Sequence, residues 1–279
     1  MNRKTNLIYI SVLFFLFLSI NFSSAQEVKV DTITTTVTKT LSLITVRTVP
    51  KFILQVNASY LAGSMELSGH NGGFSVGDFE AGKSFCARNG FGFNLTGMLP
   101  LHKKGYFWLD ITAHYNRFVS NLIANNTQDG KVYYNVFGGG LGIDYMFTPA
   151  HKVKYYVGAN ALFSAIGGQA TIYFPDAADS ALIIKVNSGF RIGYSVYSGL
   201  EYAFDKNFGI NMGLKFSHLN LLLKKTTTVT NSANTDLNDN SLNAFQLYTG
   251  WKQFAYFSAY FGFSYYFSVK ELRYKLPDQ

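Results

Sequence analysis

Six charged residues stand on one parity of a strand-like alternation: Asp110, Asp144, Lys154, Arg191, Glu201 and Lys215. In a strand, alternate side chains point to opposite faces. These six therefore share a face with glycine, asparagine and serine, while the opposite face is apolar. Charges enclosed away from water must pair with one another, or serve to pass an ion or a proton. Asp110, Asp144 and Glu201 each lie about four residues from a short turn, which places them at similar depth. Three carboxylates at one level repel, so Lys215 or Lys154 is expected to insert among them. The pattern predicts a structural ion-pair plug; a narrow ion path or proton-linked gate is the functional alternative.

Catalytic signals are weak by comparison. Of the five histidines, His102 and His151 fall in short turns and His70 in a loop. His114 sits on the polar parity beside Asp110 and Asn116, as a hydrogen-bonded interior residue would. Ser217 and His218 are adjacent in a strand, so they point to opposite faces and cannot pair directly. No metal-ligand cluster appears, and Cys86 is the only cysteine. The reading is of a protein that is not an enzyme, with no cofactor and no metal site. The formal charge is +8, and it lacks a nucleic-acid motif. Without Arg3 and Lys4 there remain 22 basic residues against 16 acidic. That spread excess suits anionic lipid headgroups or lipopolysaccharide.

The elements that hold these residues are eight stretches of period-two alternation. They run Lys51–Leu61, Phe85–Leu99, Tyr106–Phe118, Lys131–Phe147, Lys152–Phe163, Phe190–Phe204, Phe208–Leu219 and Tyr256–Phe267. The last, YFSAYFGFSYYF, sets Phe257, Ala259, Phe261, Phe263, Tyr265 and Phe267 against Ser258, Tyr260, Gly262, Ser264 and Tyr266. The connections after the second, fourth and sixth stretches are short. Those after the first, third, fifth and seventh are long and polar, including Val119–Gly130 and Leu221–Lys252. Within the connection after the fifth, Ala170–Phe174 and Ala181–Val186 flank Pro175 to Ser180 and read as a hairpin. It would extend two strands beyond the barrel and leave an edge for an extracellular protein partner at 170–186.

The beginning of the chain decides the compartment. A basic Asn2-Arg3-Lys4, an apolar Leu7–Ile20 and small residues at Ser23 and Ala25 form a secretory signal peptide, residues 1–25. Residues 26–50 read as a periplasmic leader, 51–267 as the barrel, and 268–279 as a periplasmic tail. Charged residues are 14% of the chain and aromatics 17%. Soluble domains carry about 25% charged residues. A lipocalin-like barrel would put the apolar parity inside. Its outer, polar parity would then be dense in Lys and Glu, and here it carries mostly Gly, Asn and Ser. The fold class is therefore all-β: an eight-stranded antiparallel up-and-down transmembrane β-barrel with short periplasmic turns and long extracellular loops.

Over Phe52–Phe267 the chain resembles the small outer-membrane barrels of the OmpA/OmpX type. Tyr260, Gly262, Tyr265 and Phe267 match the C-terminal assembly signal of such proteins. The resemblance implies that the barrel-assembly machinery reads this strand. It departs from the pattern in running on twelve residues past Phe267. It implies a barrel in the outer membrane of a diderm bacterium, with both termini periplasmic. The role expected is structural, anchoring or loop-mediated interaction; a narrow channel or transporter for small or hydrophobic solutes is the alternative. If the last strand is the assembly address, Tyr265→Ala with Phe267→Ala lowers outer-membrane yield far more than Phe107→Ala with Tyr115→Ala. Fractionation and immunoblotting measure this, and equal losses would make the strand ordinary barrel wall.

Overall fold

The computed structural model describes residues 43–68, 84–124, 128–149, 151–173, 181–227, 234–235, 237–240 and 252–275. The signal peptide, residues 26–42 of the leader, most of the loop after the first barrel strand, the turn 174–180 and most of 228–251 lie outside them. The described strands are β1 Leu43–Arg47, β2 Phe52–Ser64, β3 Asn89–Pro100, β4 Phe107–Ala124, β5 Gln128–Met146, β6 Val153–Tyr173, β7 Ala181–Ala203, β8 Phe208–Leu222, β9 Thr226–Thr227, β10 Asn234–Thr235, β11 Asp239–Asn240, β12 Ala255–Phe267 and β13 Glu271–Lys275.

Eight of these close into a barrel. Each of β2 through β7 pairs antiparallel with the next, and β12 fills the gap between β8 and β2. The closing strand runs Ala255↔Ser64 to Phe267↔Phe52 on one side and Ala255↔His218 to Tyr265↔Phe208 on the other. Closure follows from the alternation. An open sheet leaves unpaired N–H and C=O groups along its edges, and joining the edges satisfies every ladder.

Phe93, Phe137, Leu214 and Phe263 project from the outer wall at 55–63% exposure. Aromatic pairs knit the wall near the short turns. Phe107 meets Tyr145 at 5.0 Å, Phe147 meets Tyr155 at 5.3 Å and Phe208 meets Tyr265 at 4.9 Å. Cross-strand pairs of this kind contribute roughly 0.2–1 kcal/mol each.

The ladders are longer than the apolar stretches. Strand β7 has 23 residues and β6 has 21, against the ~9–11 needed to cross a bilayer. The expected polar loop Val119–Gly130 is mostly strand: β4 runs to Ala124 and β5 starts at Gln128. The physical reason is a reversal of facing. Above Phe137, the outer side of β5 carries Lys131, Tyr133 and Asn135, while Val132, Tyr134 and Val136 are buried inside. The inside there is an apolar core, so the alternation persists with its polarity inverted. The hairpin across 170–186 likewise continues β6 and β7, from Gly168↔Val186 to Tyr173↔Ala181. Its edge is less open than expected. β5 covers β6, and β10 pairs parallel with Lys185–Val186 of β7.

The flanking segments also meet. β1 pairs antiparallel with β13, Leu43↔Lys275 to Arg47↔Glu271. Thr48 N donates to Lys270 O at 3.0 Å, just outside the barrel's short-turn end.

Inside, glycines face bulky neighbours, so small and large side chains share the narrow space. A Cβ on Gly138 would stand 2.4 Å from Phe163 O and 2.6 Å from the His114 ring. Gly138→Val therefore overpacks the lumen and is expected to cost about 1–3 kcal/mol or more. A lowered urea midpoint of the detergent-refolded barrel would register it; an unchanged midpoint would mean the strand has room to move.

Candidate functional site: the barrel lumen

The inward parity of the eight strands builds the lumen in layers. At the short-turn end, Ile53, Met98, Trp108, Met146, Ala203 and Tyr266 form a buried apolar cluster, with Val49 and Val269 packed against it. Trp108 enters from the start of β4 and its indole N–H donates to Gly105 O at 2.7 Å. That satisfies the one polar atom of a fully buried ring.

The next layer centres on Glu201, which is wholly buried. Lys154 Nζ lies 2.7 Å from Glu201 Oε1. Gln55 Nε2 donates to Oε2 at 3.1 Å and Ser264 Oγ donates to the same atom at 2.8 Å. The ammonium of Lys154 also sits 4.2 Å from the centre of the Tyr266 ring. Four elements, β2, β6, β7 and β12, thus converge on one carboxylate. Burying two charges is costly, and the added hydrogen bonds are what make such a pair tolerable.

Asp110 and Asp144 occupy the adjoining layer. Asp110 is opposite Gly142 in the β4–β5 register, so Asp144 is its diagonal neighbour. Tyr197 from β7 donates its hydroxyl to Asp110 Oδ2 and reaches Asn160 Oδ1 at 3.0 Å. Lys215 faces this layer, but its hydrogen-bond partner is Asn94 Oδ1 at 3.2 Å, not a carboxylate. Tyr156 and Tyr260 join hydroxyls at 2.9 Å across the barrel. Between them lies a cavity of about 40 Å³. Asn57 Oδ1, Asp110 Oδ1 and Asp144 Oδ1 are buried without a hydrogen-bond partner. The cavity is large enough for ordered water but not for a solute the size of a sugar or an amino acid.

Arg191 lies apart from the carboxylates, toward the long-loop end. Its Nε donates to Asn220 Oδ1 at 2.8 Å and its Nη2 to Asn238 Oδ1 at 2.9 Å. It ties β7 to the loop after β8. His114 Nε2 is 3.2 Å from Ser164 Oγ, linking β4 to β6 across β5; both are buried. His218 points outward against the Tyr194 ring at 5.8 Å, while Ser217 is buried inside.

Beyond these layers a second apolar cluster fills the long-loop mouth. The barrel strands supply Phe118, Tyr134, Ile166, Ile172, Ile184 and Tyr256; the loops add Leu67, Phe85, Leu237 and Phe254. The loop after β2 turns back into the mouth through Phe85 N donating to Glu66 O at 2.8 Å and Ala87 N to Leu67 O at 2.8 Å. Each large apolar side chain so buried contributes roughly 1.5–3 kcal/mol.

Of the six inward charges, one pair forms an ion bridge, two carboxylates sit diagonally, one lysine reaches an amide, and the arginine serves a loop. The tyrosines that bind the layers together, Tyr156, Tyr197 and Tyr260, stand on the polar parity in the sequence. They carry no charge to mark them, and their partners lie on distant strands. In the last strand, Tyr260 points into the lumen while Tyr265 and Phe267 face outward.

A closed eight-stranded barrel, apolar outside and polar within, has the architecture of the small transmembrane β-barrels. Several solved structures are similar to the chain. They include Neisserial surface protein A, at 17% identity over 81% of this chain and 97% of the other, with a TM-score of 0.37. The attachment invasion locus protein of Yersinia pestis, solved with the heparin analogue sucrose octasulfate, shares 11% identity over 79% and 99%, with a TM-score of 0.34. The N-terminal β-barrel domain of Pseudomonas aeruginosa OprF shares 13% over 78% and 99%, with a TM-score of 0.36. No family model matches the chain, and no curated protein matches it.

The Glu201 layer yields a direct test. Lys154→Met leaves a buried carboxylate without its cation and is expected to destabilise the barrel by about 3–5 kcal/mol. Lys154→Met combined with Glu201→Met should recover most of that loss. Urea unfolding followed by tryptophan fluorescence measures both; a single variant as stable as the wild type would remove the pair from any stabilising role.

Proposed function

We propose that the chain is an integral outer-membrane barrel, closed by its own side chains, with a structural, anchoring or loop-mediated role at the surface. The observation that carries this reading is the layering of the lumen. Apolar clusters occupy both ends, and a hydrogen-bonded polar network lies between them around a cavity of about 40 Å³. A hydrated ion would have to cross two layers built chiefly of apolar side chains. The apolar outer wall supports the membrane placement, because a soluble monomer rarely exposes contiguous apolar patches beyond a few hundred Å².

In this reading residues 1–25 are a secretory leader. The barrel-assembly machinery recognises Tyr260, Gly262, Tyr265 and Phe267, both termini are periplasmic, and the short turns face the periplasm. Asp110, Asp144, Lys154, Glu201 and Lys215 fix register in the lumen, and Arg191 fastens the last long loop. The sheet extension around 170–186 stands clear of the bilayer, where an extracellular protein partner could meet it. The role invokes no catalytic step and no cofactor.

Purified wild-type barrel in a planar bilayer is expected to pass no unitary current between −100 and +100 mV, a range of about 2.3 kcal/mol per unit charge on either side. Reproducible stepwise openings would replace this reading with the narrow-channel alternative.

A further inference from the structure

The outer surface of β5–β7 holds a recess at the level where the wall changes character. Below it, the outward residues are apolar: Phe137, Phe163 and Ala165. Above it, they are polar or basic: Arg117, Tyr133, Gln169 and Lys185. The inner parity inverts at the same height, from Gly138 and Gly140 to Val136 and Tyr134. Apolar outside with small residues inside suits hydrocarbon; polar outside over an apolar core suits water. The recess therefore straddles the line between lipid and water.

Its shape has a local cause. The β6–β7 register shifts between Ile166 and Gly168, a bulge that bends the sheet. Gly167 leaves the outer face bare at that point; a Cβ there would stand 2.6 Å from Ser188 Oγ. The resulting groove is about 520 Å³ and is bordered by Tyr133, Asn135, Phe137, Gln169, Lys185 and Ser188.

Its chemistry is one-sided. The Arg117 guanidinium lies 5.8 Å from the centre of the Tyr133 ring. The Tyr133 hydroxyl donates to Gln169 Oε1 at 3.3 Å, and Gln169 stands directly opposite Lys185 in the ladder. Lys185, the amides of Asn135 and Gln169 and the Tyr133 ring and hydroxyl thus line one polar rim, and Arg117 stands beside it over Tyr133. Among the described side chains, no carboxylate shares the outward face of these strands. Cations recognise phosphate, amides and hydroxyls recognise sugar hydroxyls, and the apolar wall below accepts an acyl chain.

We propose that this recess binds a phosphorylated glycolipid of the outer leaflet, its phosphate between Lys185 and Arg117 and an acyl chain along Phe137 and Ala165. The proposal rests on the outer-membrane placement above. Lys185 supplies a point charge, and Arg117, steadied by Tyr133, supplies a planar donor fork. Gly167 keeps the space open.

The test uses the full mature barrel refolded in detergent, with bisphosphorylated lipid A as the probe. Binding is followed by native mass spectrometry and by titration. The wild type is expected to retain a single lipid through detergent exchange. Arg117→Gln with Lys185→Gln should weaken binding by about tenfold or more, and Gly167→Leu should weaken it by filling the recess. Lys152→Gln with Lys206→Gln, at exposed positions in the short turns, should leave it unchanged. Equal retention by all variants, or equal retention of fully dephosphorylated lipid A, would overturn the site. Displacement by millimolar inorganic phosphate alone would also overturn it, as a free-phosphate site. Cell fractionation separates the two levels of failure. A barrel absent from the outer membrane defeats the placement; one inserted there without selective retention defeats only this site.

Discussion

A backbone amide or carbonyl left unpaired in hydrocarbon costs several kcal/mol, and that constraint organises the whole chain. The barrel wall has no edge because β12 pairs along its length with β2 and with β8. Everything else depends on this closure. It forces an inside and an outside on every strand, and it sets the narrow lumen that the inward parity must fill. The aromatic pairs near the short turns, such as Phe107 with Tyr145, then add side-chain contact across ladders already fixed by the backbone.

The strands outlast the apolar wall, and their second half obeys a different solvent. On β5, Phe137 to Tyr145 faces outward as an apolar series, whereas Lys131, Tyr133 and Asn135 continue the same face in polar form. The interior exchanges roles in step, so that Val132, Tyr134 and Val136 join the core of the long-loop end. One continuous sheet is thereby apolar outside in its lower part and polar outside in its upper part. The exchange also explains why a lumen lined with Asn, Ser and Asp at mid-height can be closed by Phe, Ile and Leu at its mouth.

Between its two apolar ends the lumen is held by few charges and many neutral groups. Glu201 draws Lys154, Gln55 and Ser264 into one contact from four strands. Tyr156, Tyr197 and Tyr260 carry the network across the barrel with hydroxyls that need no counter-charge. Arg191 works elsewhere, joining β7 to the loop after β8 through Asn220 and Asn238. A network of this composition favours one register of the strands over its neighbours, since a slip by one residue would send Glu201 into the outer wall.

The order of residue types makes legible the strand number, the in-out assignment of nearly every wall residue and the closing role of Tyr256–Phe267. Those features are written in period-two alternation and in the scarcity of charge, which are local. It misjudged Val119–Gly130 as a loop because a polar outer face looks like a loop when the inner face is not yet known to be a core. Which inward charges meet depends on the closed barrel. Lys154 and Glu201 are 47 residues apart in sequence, and Gln55 and Glu201 are 146 apart. Alternation fixes the face on which a residue lies, but its height and its neighbours across the lumen depend on the register of all eight strands at once. The pairing of Leu43–Arg47 with Glu271–Lys275 was hidden for the same reason: the two segments become neighbours only when β12 returns to β2 and closes the barrel.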